Sequence, residues 1–406
     1  MRLRTLLILL MVLLVGSAGG AYLLGRYHFG AAQAAYERFD LEQARSELDR
    51  CLRLWPRSYR AHLLAARTAR RLHADDQAEQ HLAACELLEG DTAAVGLESV
   101  LLLAQRGRLA TSEEHLHQLI AADGPDCPLI LEALAEGYFK LFQSPRALEA
   151  LQQLLERQPA NHHAYLLRGK VWEFLKQEEF ALSDYERAVE LMPKSDEARL
   201  RLAAMLTQVG KIREAAAHFD CLRKRQPDNL IVAVGLAHCL HDLADLDEAQ
   251  QILDSVLAAH PDHVPALVER GRIAIRRAEL DNAEAWLQKA VKLAPLDSEA
   301  HLVLYGCLQA ERKREDADRV LAVLKKLNTN NSRLETLMSK VLETPRDLSL
   351  HGEIGSLLLH SGREEEGVRW LERALRQDPG NARARAALLE HDRRKRTSNG
   401  TSSDER

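Results

Sequence analysis

Prolines at positions 159, 193, 227, 261 and 295 of this 406-residue chain follow one another at a constant step of thirty-four. Independent loops would not hold such a step, so the chain is a tandem array of one short unit. Proline lacks the amide donor a helix needs and clashes with the preceding turn, so each one reads as the stop after a helix. Composition agrees with an all-helical array. The chain is 46% hydrophobic but only 5% aromatic, and it is rich in the strong helix formers Ala, Leu, Glu and Arg. With 55 Lys and Arg against 60 Asp and Glu, the formal charge is only -5, which suits a solvated surface better than a nucleic-acid footprint.

The columns that precede the prolines carry the same period. Twelve positions before each stand Ala147, Ala181, Ala215, Ala249 and Ala283, small side chains that let two helices approach closely. Eight before stand Leu151, Tyr185, Phe219, Leu253 and Leu287, and five before stand Leu154, Ala188, Leu222, Val256 and Ala290. These share a helical face. Twenty-four before stand Ala135, Gly169, Ala203, Ala237 and Gly271, a second small column on the preceding helix. Glycine costs a helix about 1 kcal/mol, so close packing must justify Gly169 and Gly271.

On these residues the chain resembles the tetratricopeptide repeat (TPR) family, whose signature joins a small residue in a first helix, Ala and an aromatic in a second, and a terminal proline. The best single match runs from His162 to Ser195 and carries Tyr165, Gly169, Trp172, Ala181, Tyr185, Ala188 and Pro193 in the family's order. Later units repeat it with Ala215 and Pro227, Ala249 and Pro261, and Gly271, Ala283 and Pro295. The resemblance implies an all-α fold: an α-solenoid, wound as a right-handed superhelix of helix-turn-helix units. It also implies a role in binding other proteins or peptides on the concave face lined by first helices.

The register predicts eight tandem units over 26–297, the first closed by Pro56 and the second by Gly90 in the proline column. Pro379 lies farther beyond Pro295 than two periods would place it, by sixteen positions. The surplus predicts a degenerate unit with an extra helical insertion at 298–347, broken at Asn328-Thr329-Asn330-Asn331-Ser332. A C-terminal unit at 348–381, a capping helix at 382–396 and a disordered tail at 397–406 complete the division.

At the other end, Arg2 and Arg4 precede nineteen uncharged residues, Leu6 to Leu24. At 1.5 Å per residue these span about 28 Å, one hydrocarbon core. Residues 1–25 are therefore expected to be a signal-anchor or transmembrane helix. The rival is a signal peptide cut near Gly16-Ser17-Ala18, which would leave an exported soluble protein. Flanking charge favours a cytoplasmic N-terminus with extracytoplasmic repeats, although Arg26, Arg38 and Arg45 weaken that count.

The six cysteines (Cys51, Cys85, Cys127, Cys221, Cys239, Cys307) include no CxxC and read as small core residues. One basic cluster stands out: Arg60, Arg67, Arg70 and Arg71 recur at helical spacing, suited to a carboxylate-rich partner or anionic headgroups but equally to a solvated face. Arg272 and Arg276, with Arg277, form a second group, and Lys170 falls on the same first-helix column as Arg67 and Arg272. That column reads Gln33, Arg67, Leu101, Glu136, Lys170, Ala204, His238, Arg272, Gly306 and Ser356. It lacks the asparagine with which family members clamp chaperone tails. His238, Cys239, His241 and Asp242 alone resemble metal ligands, but one helix supplies too few, so His238 and His241 read as polar partner-binding residues. His162-His163 and the His260/His263 pair flank inter-repeat turns and read as ordinary.

No HExxH, Walker-type GxxxxGK[ST], GxGxxG or GxSxG occurs, so neither catalysis nor a cofactor is expected, nor a small-molecule substrate. Arg393-Arg394-Lys395-Arg396 is too short a run to imply nucleic acid. The expectation is a membrane-tethered protein-interaction scaffold. The alternative is a regulatory subunit of a membrane or envelope-synthesis enzyme. Anchored repeat proteins of that kind end in a cysteine-rich metal module, which this Ser-, Asn-, Asp- and Arg-rich C-terminus lacks.

Overall fold

The computed structural model describes the backbone of residues 2–88, 90–109, 112–343 and 347–400, and side chains within residues 20–88, 90–109, 112–341, 347, 349–376, 378–393 and 395. Among the described residues every regular element is an α-helix. The chain divides into two compact units, Met1–Val171 and Trp172–Arg406.

The first unit begins with α1 (Arg2–Glu37), whose C-terminal part packs on α2 (Leu41–Leu54). Then come α3 (Tyr59–Arg71), α4 (Asp75–Leu87), α5 (Thr92–Gln105), the short α6 (Glu113–Ala121), α7 (Cys127–Lys140) and α8 (Ser144–Arg157). α9 (His162–Phe174) crosses the boundary between the units. The second unit continues with α10 (Glu178–Leu191), α11 (Asp196–Gln208), α12 (Ile212–Arg225), α13 (Leu230–Asp242), α14 (Leu246–Ala259), α15 (Val264–Arg276) and α16 (Leu280–Leu293). It closes with α17 (Ser298–Ala310), α18 (Arg314–Glu343), α19 (Leu348–His360), α20 (Glu364–Gln377) and α21 (Ala382–Gly400).

The period of the prolines has a direct structural meaning. First helices of 13 residues alternate with second helices of 14, joined by connections of three and four residues. Each second helix ends just before the exposed proline. Two positions further on, a side chain starts the next helix by accepting from a backbone N–H: Ser195 from Ala198, Asn229 from Val232, His263 from Ala266 and Asp297 from Ala300. Such caps satisfy amides that the first turn leaves without partners.

Another periodic feature sits in the turn that leads from first helix to second. Phe39, His73, Gly107, Phe142, Lys176, Gly210, Ala244, Ala278 and Arg312 all have positive φ, and all but one step between them equals the proline period. A left-handed backbone costs a non-glycine residue roughly 1–2 kcal/mol, yet only two of these nine are glycine. The surrounding helix pair imposes the conformation, which is why the residue type there shows no pattern.

The packing columns lie where helices touch. Ala181, Ala215, Ala249 and Ala283 are fully buried, with Tyr185, Ala188, Leu222, Leu253 and Leu287 beside them in the core. A Cβ on Gly271 would come within 2.6 Å of the Leu287 side chain, so only glycine admits that approach. Gly169 is buried as well. Trp172 departs from the expected core role: it is only partly buried and lies against Phe180, ring centroids 5.1 Å apart. Gly90 replaces proline because a Cβ there would overlap the Tyr59 ring. All six cysteines are free and five are buried, with Cys221 partly so.

Two boundaries differ from the sequence reading. No break occurs at Asn328 to Ser332: α18 is one helix of 30 residues, sixteen longer than α16, so the surplus is an extension of a second helix and not a separate element. Asparagine and threonine are weak helix formers, but Leu324, Leu327, Leu334, Leu337 and Val341 keep a buried stripe at helical spacing through the polar run, and packing outweighs propensity. The last helix also continues past residue 396 to Gly400, and 401–406 lie outside the described residues. At the other end, the side chains of residues 2–19, most of the expected anchor, lie outside the described set; among the described residues no helix is long and apolar enough to cross a membrane.

The continuity of α18 can be tested directly. Ser332→Pro should cost about 3 kcal/mol, as proline does inside a helix, read as a lowered urea midpoint; a loop at this position would leave the midpoint nearly unchanged. A second test uses His351, which is fully buried in α19 against Trp370, ring centroids 5.2 Å apart. Burial, reinforced by the Arg373 guanidinium, pushes its pKa down to about 4. The unfolded imidazole takes its proton near pH 6.5, well before the folded one, so stability is complete above about 6.5 and falls as pH drops toward 4. Between pH 7 and pH 5 His351 should contribute a loss of about 2 kcal/mol, visible in Trp fluorescence. His351→Phe should reduce the loss by that amount, with the remaining slope left to other buried imidazoles such as His162.

Candidate functional site

In the first unit, first helices meet around a set of buried charges. Arg70 and Arg71 end α3, on adjacent faces, and neither is exposed: relative accessibility is 0% and 7%. The Nε of Arg70 donates to Oε1 of Glu98 on α5, and one terminal nitrogen donates to Oε1 of Gln105 at 2.9 Å. Gln105 in turn donates to the Arg70 carbonyl at 3.0 Å. Arg71 grips Glu132 on α7 with two parallel hydrogen bonds of 2.8 Å, while its guanidinium lies 4.6 Å from the ring centres of both Tyr36 and Phe39. Arg67 Nε sits 3.4 Å from the second oxygen of Glu98.

Burial works against the charge on Arg70, but the Glu98 and Glu132 carboxylates more than offset it and its pKa rises. The same balance, with Glu132 the main carboxylate, raises that of Arg71. One turn beyond Glu132, Glu136 is 4% exposed and faces two imidazoles: His73 Nδ1 lies 3.6 Å from its Oε2, and His163 Nε2 lies 3.7 Å from its Oε1. Burial pushes the Glu136 pKa upward, but the two imidazoles, His163 ahead of His73, outweigh it and the net shift is downward. Burial lowers His73, and the Lys140 and Lys170 ammoniums act in the same direction.

The reading of Arg60, Arg67, Arg70 and Arg71 as one surface cluster is therefore corrected. Of the four, Arg60 alone is exposed; Arg67 is partly buried, and Arg70 and Arg71 are interior. Their partners lie 28 to 61 residues away in sequence, beyond the reach of helical spacing rules. A signal existed on the acidic side: Glu98 is the sole charged residue of α5, and Glu132 and Glu136 interrupt an otherwise apolar stretch of α7. A lone charge in a helix apolar all round has no solvent face to occupy.

In the second unit a different set of charges gathers around the buried Glu269, 5% exposed, with its partners nearer solvent. His238 on α13 bonds through Nδ1 to Oε1 of Glu269 on α15 at 3.1 Å, and its Nε2 lies 3.7 Å from Asp242. Arg272, one turn on from Glu269, donates to Glu299 on α17 at 2.6 Å. Arg276 donates to the His241 carbonyl at 2.5 Å, and His241 Nδ1 faces Asp242 at 3.2 Å. The bond to Glu269 raises the His238 pKa, although burial opposes it. His238, His241, Arg272 and Arg276 thus form one ladder along successive first helices. Cys239 is fully buried and its Sγ faces the Thr207 hydroxyl, so it does not converge with the histidines on a metal. Lys170 lies on α9 in the first unit and is not part of this ladder.

Three models described as tetratricopeptide repeat match residues 133–196, 206–270 and 264–295. Over those residues the helix pairs match tetratricopeptide repeats. Anaphase-promoting complex subunit 7 of Mus musculus is 24% identical over 270 residues, which is 66% of this chain and 47% of that protein. DnaJ protein P58IPK homolog B of Oryza sativa subsp. japonica is 24% identical over 278 residues, 65% of this chain and 59% of that one. The chain thus spans about half the length of the curated relatives it matches. Among solved structures, PilW, a widely conserved type IV pilus biogenesis factor, aligns at 22% identity and a TM-score of 0.43, covering 50% of this chain and 94% of that one. YrrB, a TPR protein with an unusual peptide-binding site, aligns at 18% and 0.41, covering 46% and 95%.

Because Arg71 grips Glu132 with both hydrogen-bonding arms, Arg71→Ala should strand a buried carboxylate and cost about 3–5 kcal/mol. Arg60→Ala, on the surface of the same helix, should change stability by less than about 0.5 kcal/mol. Chemical denaturation of both variants checks the contrast.

Proposed function

We propose that this chain is a membrane-tethered, non-enzymatic scaffold that binds partner proteins along the first helices of its repeats. The observation that carries the reading is the His238–Glu269–Arg272–Glu299 ladder, in which charged side chains on three successive first helices hold one another while most stay within reach of solvent. Surface ion pairs of this kind are worth little on their own. A partner's charged groups can replace them with small loss to the fold, and a planar guanidinium favours a carboxylate partner. Tetratricopeptide repeats as a class bind other proteins or peptides, which supports the same reading.

Tethering is supported at the start of the chain. α1 is one helix that carries the uncharged run Leu6 to Leu24 into the first repeat. Where that run ends, Tyr22, Leu23, Leu24 and Tyr27 are 57%, 67%, 49% and 67% exposed. Trp55 lies across α1 at Gly25, with Tyr22 5.4 Å from its ring. Aromatic side chains collected at the end of an apolar helix suit the headgroup layer. The flanking arginines favour a cytoplasmic N-terminus and extracytoplasmic repeats.

Cross-linked pull-down from detergent-solubilised membranes, with the mature N-terminus sequenced, should recover specific protein partners together with an intact segment from Arg2 to Leu24. A mature start near Gly19 in the soluble fraction would remove the membrane from the mechanism. Arg272→Glu with Arg276→Glu should reduce partner recovery at least tenfold with unchanged helical circular dichroism; unaltered recovery would take the ladder out of the binding surface.

A further inference from the structure

We propose that Glu136 and His163, with Glu132 beside them, form a binding site for a divalent transition-metal ion of the zinc class. Glu132 and Glu136 are one helical turn apart on α7, on the same face, and His163 comes from the first turn of α9. One ligand atom from each of the three lies within 4.8 Å of the others.

Two of those atoms face each other as a long ion pair and make no hydrogen bond. Glu136 Oε1 and His163 Nε2 are buried and have no hydrogen-bond partner among the described residues, although they lie 3.7 Å apart. A buried polar atom without a partner is costly, and native proteins rarely leave one so. Two ligands on a tetrahedral zinc, each about 2.0–2.1 Å from it, stand roughly 3.3 Å apart. A shift of a few tenths of an ångström therefore seats an ion between them.

The charges around the site leave Glu136 without a guanidinium partner. Arg67 and Arg70 are directed to Glu98, and Arg71 occupies both oxygens of Glu132. Glu136 faces imidazoles instead, His163 on one oxygen and His73 on the other. An ionised carboxylate has about four lone-pair sites, and Arg71 uses two of those on Glu132, so Glu132 retains capacity for one bond to an ion. Arg71 would then orient a ligand from behind, as outer-shell groups do in metal sites. Phe39 stacks on the His163 ring at 6.1 Å and holds its plane.

One imidazole with two carboxylates suits zinc, cobalt, nickel or manganese better than calcium, which takes six or more oxygens. His73, whose side chain is 52% exposed, flanks the other oxygen of Glu136, with its Nδ1 also 3.0 Å from the Gln105 amide nitrogen.

The test uses the full chain in detergent, stripped with a chelator and titrated with Co²⁺ and Zn²⁺. Wild type should bind one equivalent of Co²⁺ with visible d–d absorption, displaced by Zn²⁺. His163→Gln and Glu136→Gln should each weaken that binding at least about tenfold. A control is needed because His62 and His81 also pair, 3.1 Å apart, at a more exposed position. His62→Gln with His81→Gln should leave the equivalent in place. If His163→Gln binds as wild type does, if the His62/His81 variant loses the ion, or if wild type binds none, Glu136 and His163 are an ion pair only. Should Glu136→Gln fail to fold, His163→Gln, on a side chain nearer the surface, decides the outcome.

Discussion

Close approach of helix pairs at small side chains is the constraint on which both units depend. Where Ala181, Ala215, Ala249 or Ala283 sits at a crossing, the facing helix comes near enough to bury Leu, Phe or Tyr from the neighbouring column, and Gly271 brings Leu287 closer than any Cβ would allow. That distance fixes the connection lengths. Three residues are enough to reverse the chain only if one of them is left-handed, and the same helix packing that demands the reversal holds Lys176, Ala244, Ala278 and Arg312 in that conformation at its cost. The strain is local and the packing that offsets it is repeated in every unit.

Buried charge is used differently in the two units. Around α3, α5 and α7, guanidiniums and carboxylates are taken out of water together, and each guanidinium keeps its charge because its partner's field outweighs the loss of solvation. Such a network adds little net stability compared with apolar packing but penalises any rearrangement that separates the partners. Along α13, α15 and α17 the charges other than the buried Glu269 lie nearer solvent and bridge neighbouring repeats. The surplus in α18 adds to this asymmetry, because a second helix of 30 residues extends beyond the usual unit without disturbing the register on either side.

The repeat was legible because periodic packing leaves a periodic trace. Pro, Ala and the large apolar columns each answer to a distance or an angle within one period, so the helix pairs over most of the chain could be placed from spacing alone. What escaped was of two kinds. At Asn328 to Ser332 local propensity pointed to a break, and only the buried stripe of Leu324, Leu327, Leu334 and Leu337 carried the helix through. At Arg70 and Arg71 helical spacing suggested a surface patch, while the residues that buried them, Glu98 and Glu132, stood on other helices.

The sequence by itself determined the all-helical repeat, its period, its small-residue crossings and the uncharged run before the first unit, since each of these is a relation between residues a turn or a hairpin apart. Only the tertiary structure decided which charges face solvent and which face one another. Whether Arg71 is a surface cation or half of a buried pair depends on α7, 61 residues away, and whether Glu136 has a partner depends on where α9 sets His163. Ionisable side chains have no preferred neighbour within their own helix strong enough to fix their fate, so the field of the assembled helices fixes it for them.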